Sequence, residues 1–204
     1  LPIFVNNKFG NKGNLYSLYT AKEHLGNTYI CCADHYFINN PFIDNNIDNV
    51  SYRACTYYSG KFSEFSVICS DADVITRMEV GGTDSLAMVG PAYMNEKFSR
   101  VFCDLMQKEI MDFRVSSMFW EEFYAKHITE LTFYKREFAN NEILEFETID
   151  DLRSFDSEFL MNVDSEIITN ICNTLMCNPN DVTNIDVINA GLTNVSFSFS
   201  VDRK

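Results

Sequence analysis

Apolar and polar positions along this chain follow two rhythms, and the switches between them mark out its elements. Leu1 to Val5 is an apolar run of strand length. From Leu15 to Leu25 the apolar residues Leu15, Leu18, Tyr19 and Leu25 recur at helical spacing, and Gly26 follows as a stop. Tyr29 to Ala33 is an uncharged run of strand character that ends on Asp34. Strand, helix and strand joined by short turns predict a β-α-β unit and a parallel sheet.

Asn39 to Asn49 is rich in Asn and Asp and reads as loop. Three strand-like runs follow, Tyr52 to Tyr58, Phe65 to Cys69 and Val74 to Val80. Asp71-Ala72-Asp73 fits a hairpin turn between the last two. Gly81-Gly82 reads as a further hairpin turn, and Leu86 to Met94 as another strand. This meander adds antiparallel strands to the sheet. Asn95 is placed to cap a helix whose apolar face holds Phe98, Val101, Phe102, Leu105 and Ile110. Ser117 to His127 predicts a second helix, Thr129 to Phe138 a strand, and Ile149 to Phe159 an acidic helix. After Phe159 the character changes. Asp164 to Cys177 predicts an amphipathic helix stopped by Asn178-Pro179-Asn180, and Val182 to Ile188 and Val195 to Val201 flank a turn as two strands. The pattern therefore divides the chain into residues 1–159 and 160–204.

Composition narrows the function classes. A chain of 204 residues with 46% hydrophobic and 14% aromatic content is globular and long enough for one well-buried core. Its net charge of -13 argues against a nucleic-acid partner, which needs a basic face. Seven cysteines without a Cys-x-x-Cys pair, and histidines as far apart as His24, His35 and His127, argue against zinc and suit a reducing, cytoplasmic compartment. Cys31 and Cys32, adjacent on a strand, should point to opposite faces and read as core positions. No apolar run approaches the ~20 residues that span a bilayer, so no membrane partner is expected. The chain opens Leu-Pro-Ile rather than on Met, which reads as a segment of something longer.

Two constellations carry chemistry. Asp34 stands where a strand emerges into a loop, the edge at which open α/β sheets gather ligands. Paired with Glu121, or equally Glu122, it offers hard oxygen donors for a divalent cation set against phosphates. The second is aromatic: a quaternary ammonium makes no strong hydrogen bond and is held by aromatic faces beside a carboxylate.

Three segments together, Asn14-Leu15-Tyr16-Ser17-Leu18-Tyr19, Thr28 to Tyr36 and Phe119-Trp120-Glu121-Glu122, resemble the bacterial phosphocholine cytidylyltransferases, a branch of the sugar-nucleotide pyrophosphorylase superfamily. The resemblance covers Leu1 to about Asp156. It implies an α/β fold, a Rossmann-like mixed sheet of the nucleotide-diphospho-sugar transferase type lacking its first β-α units, with a short α+β extension. It further implies transfer of a cytidylyl group from CTP to phosphocholine, with Mg²⁺ held by Asp34 and Glu121. Tyr36, Phe65, Phe119 and Trp120 would surround the acceptor, with Glu64 and Asp34 as anions. Cys32 replaces the first acid of the family's Asp-Ala-Asp-like element, and Glu121 replaces an Asp.

The glycine-rich loop that opens family members has no counterpart here, so this chain alone is expected to be inactive. Asn189-Ala190-Gly191-Leu192-Thr193-Asn194 resembles the first hairpin of the choline kinase and aminoglycoside phosphotransferase superfamily, implying a linked kinase-like domain. The competing readings are a non-catalytic, degenerate module of the same fold, and a sugar-1-phosphate nucleotidyltransferase that differs only in acceptor.

Overall fold

The computed structural model describes residues 3–42, 50–146, 151–152, 155, 166–188 and 196–201. The chain forms two units, Leu1–Glu145 and Phe146–Lys204. The first is mixed α/β, as the sequence pattern predicts. Its sheet has the order β1 (Thr28–Ile30), β4 (Ile75–Met94), β3 (Tyr52–Cys69), β5 (Tyr134–Glu137). Only β3 and β5 run parallel among the described strand pairs.

The parallel pairing does not arise where the β-α-β reading puts it. Residues 3–5 are irregular and exposed, with Ile3 at 88% and Val5 at 65%, and β1 runs antiparallel to β4. An apolar run forms a strand only when a partner covers it, and the sheet edge beside β1 does not take these residues. The runs between Tyr52 and Met94 likewise fuse into one long hairpin of β3 and β4. Asp71-Ala72-Asp73 makes its turn, closed by Ser70 N–H to Val74 O at 2.8 Å. Gly81 and Gly82 are not a turn but lie within β4, where Phe65 faces both Val80 and Gly81 across a bulge. Of the Asn39 to Asn49 loop, residues 43–49 lie outside the described residues.

Helix α2 forms where capping and periodicity place it. Asn95 Oδ1 accepts from Phe98 N–H at 2.8 Å and starts α2 (Glu96–Glu109). The face that α2 buries holds Phe98, Ser99, Phe102 and Met106, with Val101 and Leu105 only partly covered. Helices α1 (Asn14–Thr20), α3 (Phe113–Ser116) and α4 (Trp120–Lys126) complete the layer on the sheet. A Cβ at Gly13 would stand 2.0 Å from Met118 O, so only glycine lets the start of α1 approach the α3–α4 link this closely. Phe133 sits at the centre of the core, 4.2 Å from Phe98 and 4.8 Å from Tyr124 between ring centroids.

In the second unit, α5 (Glu166–Leu175) precedes an antiparallel pair, β7 (Val182–Ile188) and β8 (Ser196–Val201). Asp181 Oδ2 accepts from Asn178 N–H at 2.9 Å and fixes the turn between helix and strand. Of the acidic helix expected over Ile149 to Phe159, residues 151, 152 and 155 are helical and the others lie outside the described residues, as does the Asn189 to Asn194 turn. No helix among the described residues is long and apolar enough to cross a membrane.

Two outcomes test this core. Phe133→Ala should lower the unfolding free energy by about 3–5 kcal/mol in urea denaturation, because its ring has no collapsible surroundings. Cys55, wholly buried with its thiol pushed up to about 12 by burial, should resist alkylation in the native protein and react only in denaturant, as peptide mass spectrometry would read.

Candidate functional site

Pro91 decides where the site begins. The β1–β4 ladder pairs Ile30 with Ala92, and Pro91, next along β4, has no N–H with which to continue it. The chain therefore peels away at Cys31 and Cys32, turns at Ala33-Asp34 and re-enters order as β2 (His35–Phe37), paired with β6 (Ile143–Glu145). Both cysteines are exposed, which corrects the expectation that they are core positions: the strand ends one residue before them.

Beneath this turn lies Arg53, which sequence reasoning missed. It stands in the apolar start of β3, is 6% exposed, and donates through Nη1 to Val89 O at 3.3 Å and to Gly90 O. Gly90, at φ +64°, turns its carbonyl toward that contact, and a Cβ there would meet Ile143 at 2.6 Å. The guanidinium lies 5.5 Å from the Trp120 ring centre, and its Nη2 is 3.9 Å from Glu121 Oε1. A charge inside the pattern of a core strand is the one sequence signal that pointed to it.

Glu121 is positioned from two sides. Asn14 Oδ1 accepts from Trp120 N–H at 2.7 Å, and the same side chain hydrogen-bonds the Glu121 carboxylate. Burial pushes the Glu121 carboxyl above the usual range, with Arg53 and Asn14 pulling it back. Glu122 is occupied differently: its Oε2 accepts from Phe119 N–H at 2.7 Å and caps α4. Between the two glutamates left open by the sequence, Glu121 is the one that faces Arg53.

Asp34 is exposed on the turn. Asp34 and Glu121 meet electrostatically at Cys32: packing around its sulfur raises the thiol, both carboxylates and Glu145 raise it further, and Arg53 opposes them. Burial, with Arg53, lowers His35 below the usual imidazole range, against the pull of Asp34. Glu145 Oε1 stands 3.7 Å from His35 Nε2. Burial and then the charges of Glu64 and Glu145 raise Tyr58 above the usual phenol range.

The aromatic residues separate into two groups. Tyr36 and Phe119 are 44% and 56% exposed, and Phe65 packs partly against the core. Trp120 is 4% exposed and carries Arg53 on its ring, so it is a wall of the core. Of two cavities among the described residues, one of about 330 Å³ is lined by Phe37, Pro41, Arg136 and Glu142 among others, and Asp34 and Glu121 line neither it nor the second, of about 310 Å³.

No protein-family model matches the chain. Over 157 residues it is 25% identical to the choline-phosphate cytidylyltransferase of Streptococcus pneumoniae, covering 77% of this chain and 67% of that protein. It is 26% identical over 166 residues to a 2-aminoethylphosphonate cytidylyltransferase of Lancefieldella rimae, covering 76% of this chain and 63% of that one. The solved structure of the CTP:phosphocholine cytidylyltransferase from Streptococcus pneumoniae superposes with a TM-score of 0.67 at 23% identity, covering 75% of this chain and 66% of that structure. The chain thus resembles cytidylyltransferases and shares the nucleotidyltransferase fold, and it spans about two thirds of the length of these relatives.

The Arg53–Glu121 pair invites a double-mutant cycle. Arg53→Met should destabilise the protein by about 3–5 kcal/mol, because it leaves Glu121 with a buried charge and no cation beside it. Adding Glu121→Gln to Arg53→Met should restore a large part of that loss in the same urea titration, whereas additive losses would mean that the two side chains are uncoupled.

Proposed function

We propose that this chain is the acceptor-side part of a cytidylyltransferase, acting in a longer protein on CTP and a small phosphate or phosphonate ester that bears a cationic nitrogen, phosphocholine first. The observation that supports this reading is a buried arginine, Arg53, beside Glu121 at the start of α4, with a second carboxylate, Asp34, exposed on the turn after β1. Both relatives are named for acceptors that combine an amine with a phosphorus acid, phosphocholine in one and aminoethylphosphonate in the other.

The residues present fit a hard divalent cation. Asp34 offers an exposed carboxylate and Glu121 a second, largely buried one, both hard oxygen donors of the kind such an ion takes. Asp34 and Glu121 would hold Mg²⁺, which supplies charge neutralisation for the triphosphate and the departing pyrophosphate. In the proposed reaction an acceptor phosphate oxygen attacks the α-phosphorus of CTP, and the bond to the β-phosphate breaks with release of pyrophosphate. No covalent enzyme intermediate is required, so positioning dominates.

Arg53 contributes by holding Glu121 ionised and in place, and Trp120 contributes by holding Arg53. Tyr36, Phe65 and Phe119 supply aromatic faces for the cationic nitrogen, with Glu64 as a nearby anion. The second unit, with its helix and antiparallel pair, fits the opening of a kinase-like lobe in the parent protein.

In a longer parent that releases pyrophosphate from CTP and phosphocholine, Asp34→Asn should lower kcat by at least about 10²-fold, and near-normal turnover would exclude the metal role. Phe119→Ala should weaken phosphocholine more than a neutral alcohol phosphate in a calorimetric titration, while equal losses would leave the aromatic reading unsupported. The 204-residue chain by itself should give no pyrophosphate release, since no glycine-rich phosphate loop is in its sequence.

A further inference from the structure

We propose that Cys32, Asp34 and His35 form a binding site for one borderline-soft divalent cation of the Zn²⁺ class. One ligand atom of each lies within 4.8 Å of the others. A tetrahedral ion with bonds of about 2.0–2.3 Å spaces its donors by about 3.3–3.8 Å, so closure needs small side-chain rotations. Cys32 and Asp34 are exposed and free to make them, whereas His35 is pinned by the pairing of β2 with β6.

His35 supplies the second, independent observation. Its side chain is 4% exposed, and its Nδ1 is buried with no hydrogen-bond partner among the described residues. Buried ring nitrogens are almost always satisfied, and an unsatisfied one has an open lone pair or an unshared proton. Nε2, on the opposite side of the ring, stands 3.7 Å from the Glu145 carboxylate. In the proposed site Nδ1 would take the cation and Glu145 would stay behind Nε2, the arrangement by which metal-bound histidines are oriented.

Thiolate and imidazole donors select zinc-class ions over Mg²⁺, which prefers oxygen alone. Three protein ligands leave a fourth position for water or an oxygen ligand. Where the family pattern has an acid, Cys32 thus changes the kind of ion this turn retains. Because Asp34 is shared, zinc here excludes Mg²⁺ from the proposed reaction. That consequence rests on the proposed function, but binding itself does not.

The test is a titration of the 204-residue chain with Co²⁺ as a spectroscopic substitute for zinc, in a background carrying Cys172→Ser and Cys177→Ser. The expected result is one equivalent of tetrahedral cobalt with a thiolate charge-transfer band, displaced by Zn²⁺ and unaffected by excess Mg²⁺. Cys32→Ser, at an exposed position that leaves the fold intact by circular dichroism, should abolish the thiolate band, and Cys31→Ser should retain it. His35→Gln should weaken binding at least tenfold. Absence of the band in the parent background, or its persistence in Cys32→Ser, would overturn the proposal whatever the outcome of the pyrophosphate assay.

Discussion

A single buried cation organises the first unit. Arg53 lies in the sheet with its guanidinium against the carbonyls of Val89 and Gly90, over Trp120, and beside Glu121. It therefore joins β3, β4 and α4 through one side chain. A guanidinium taken out of water must recover its hydration through contacts of this kind, and the structure around it is correspondingly constrained. Gly90 must keep a backbone that exposes its carbonyl, α4 must begin where the Trp120 ring can approach the cation, and Glu121 must lie beside it. Asn14 enforces the last of these from α1, whose approach depends on the missing side chain at Gly13.

On this rigid floor sits a rim of different character. Cys31, Cys32, Ala33 and Asp34 are exposed on a turn that exists because Pro91 ends the β1 ladder, while His35 is drawn back into the structure by β6. Floor and rim thus differ: Arg53 and Asn14 hold Glu121 in place, while Asp34 is exposed on the turn. The charges that act on Cys32 are mostly negative, from Asp34, Glu121 and Glu145 against Arg53. Such a surface favours cationic groups and needs a countercharge before polyphosphates approach.

Much of the architecture was legible in the sequence. The Asn95 cap, the Asp71 to Asp73 turn, the apolar positions of α2 and the limits of β7 follow from local chemistry, and each is found where that chemistry puts it. The resemblance of Asn14 to Tyr19, Thr28 to Tyr36 and Phe119 to Glu122 led to the nucleotidyltransferase fold, which the superposition bears out. What local reading lost were pairings. Whether residues 3–5 join a sheet, whether two apolar runs are one bent strand or two, and on which side β1 is covered all depend on partners distant in the chain.

The sequence by itself determined the residue types at the site and the segments that carry them: acids after an apolar run, aromatics and acids at a helix start, an arginine inside a strand pattern. Tertiary structure alone decided their roles. It turned Glu122 into a cap and Glu121 into the partner of Arg53, and it made Trp120 a core wall. It also brought Cys32 into line with His35 on an exposed turn. The physical reason is that burial and charge proximity are properties of the assembled fold. A carboxylate or a thiol has the same formula everywhere in the chain, and its basicity and its ligands are set by which groups long-range packing leaves around it.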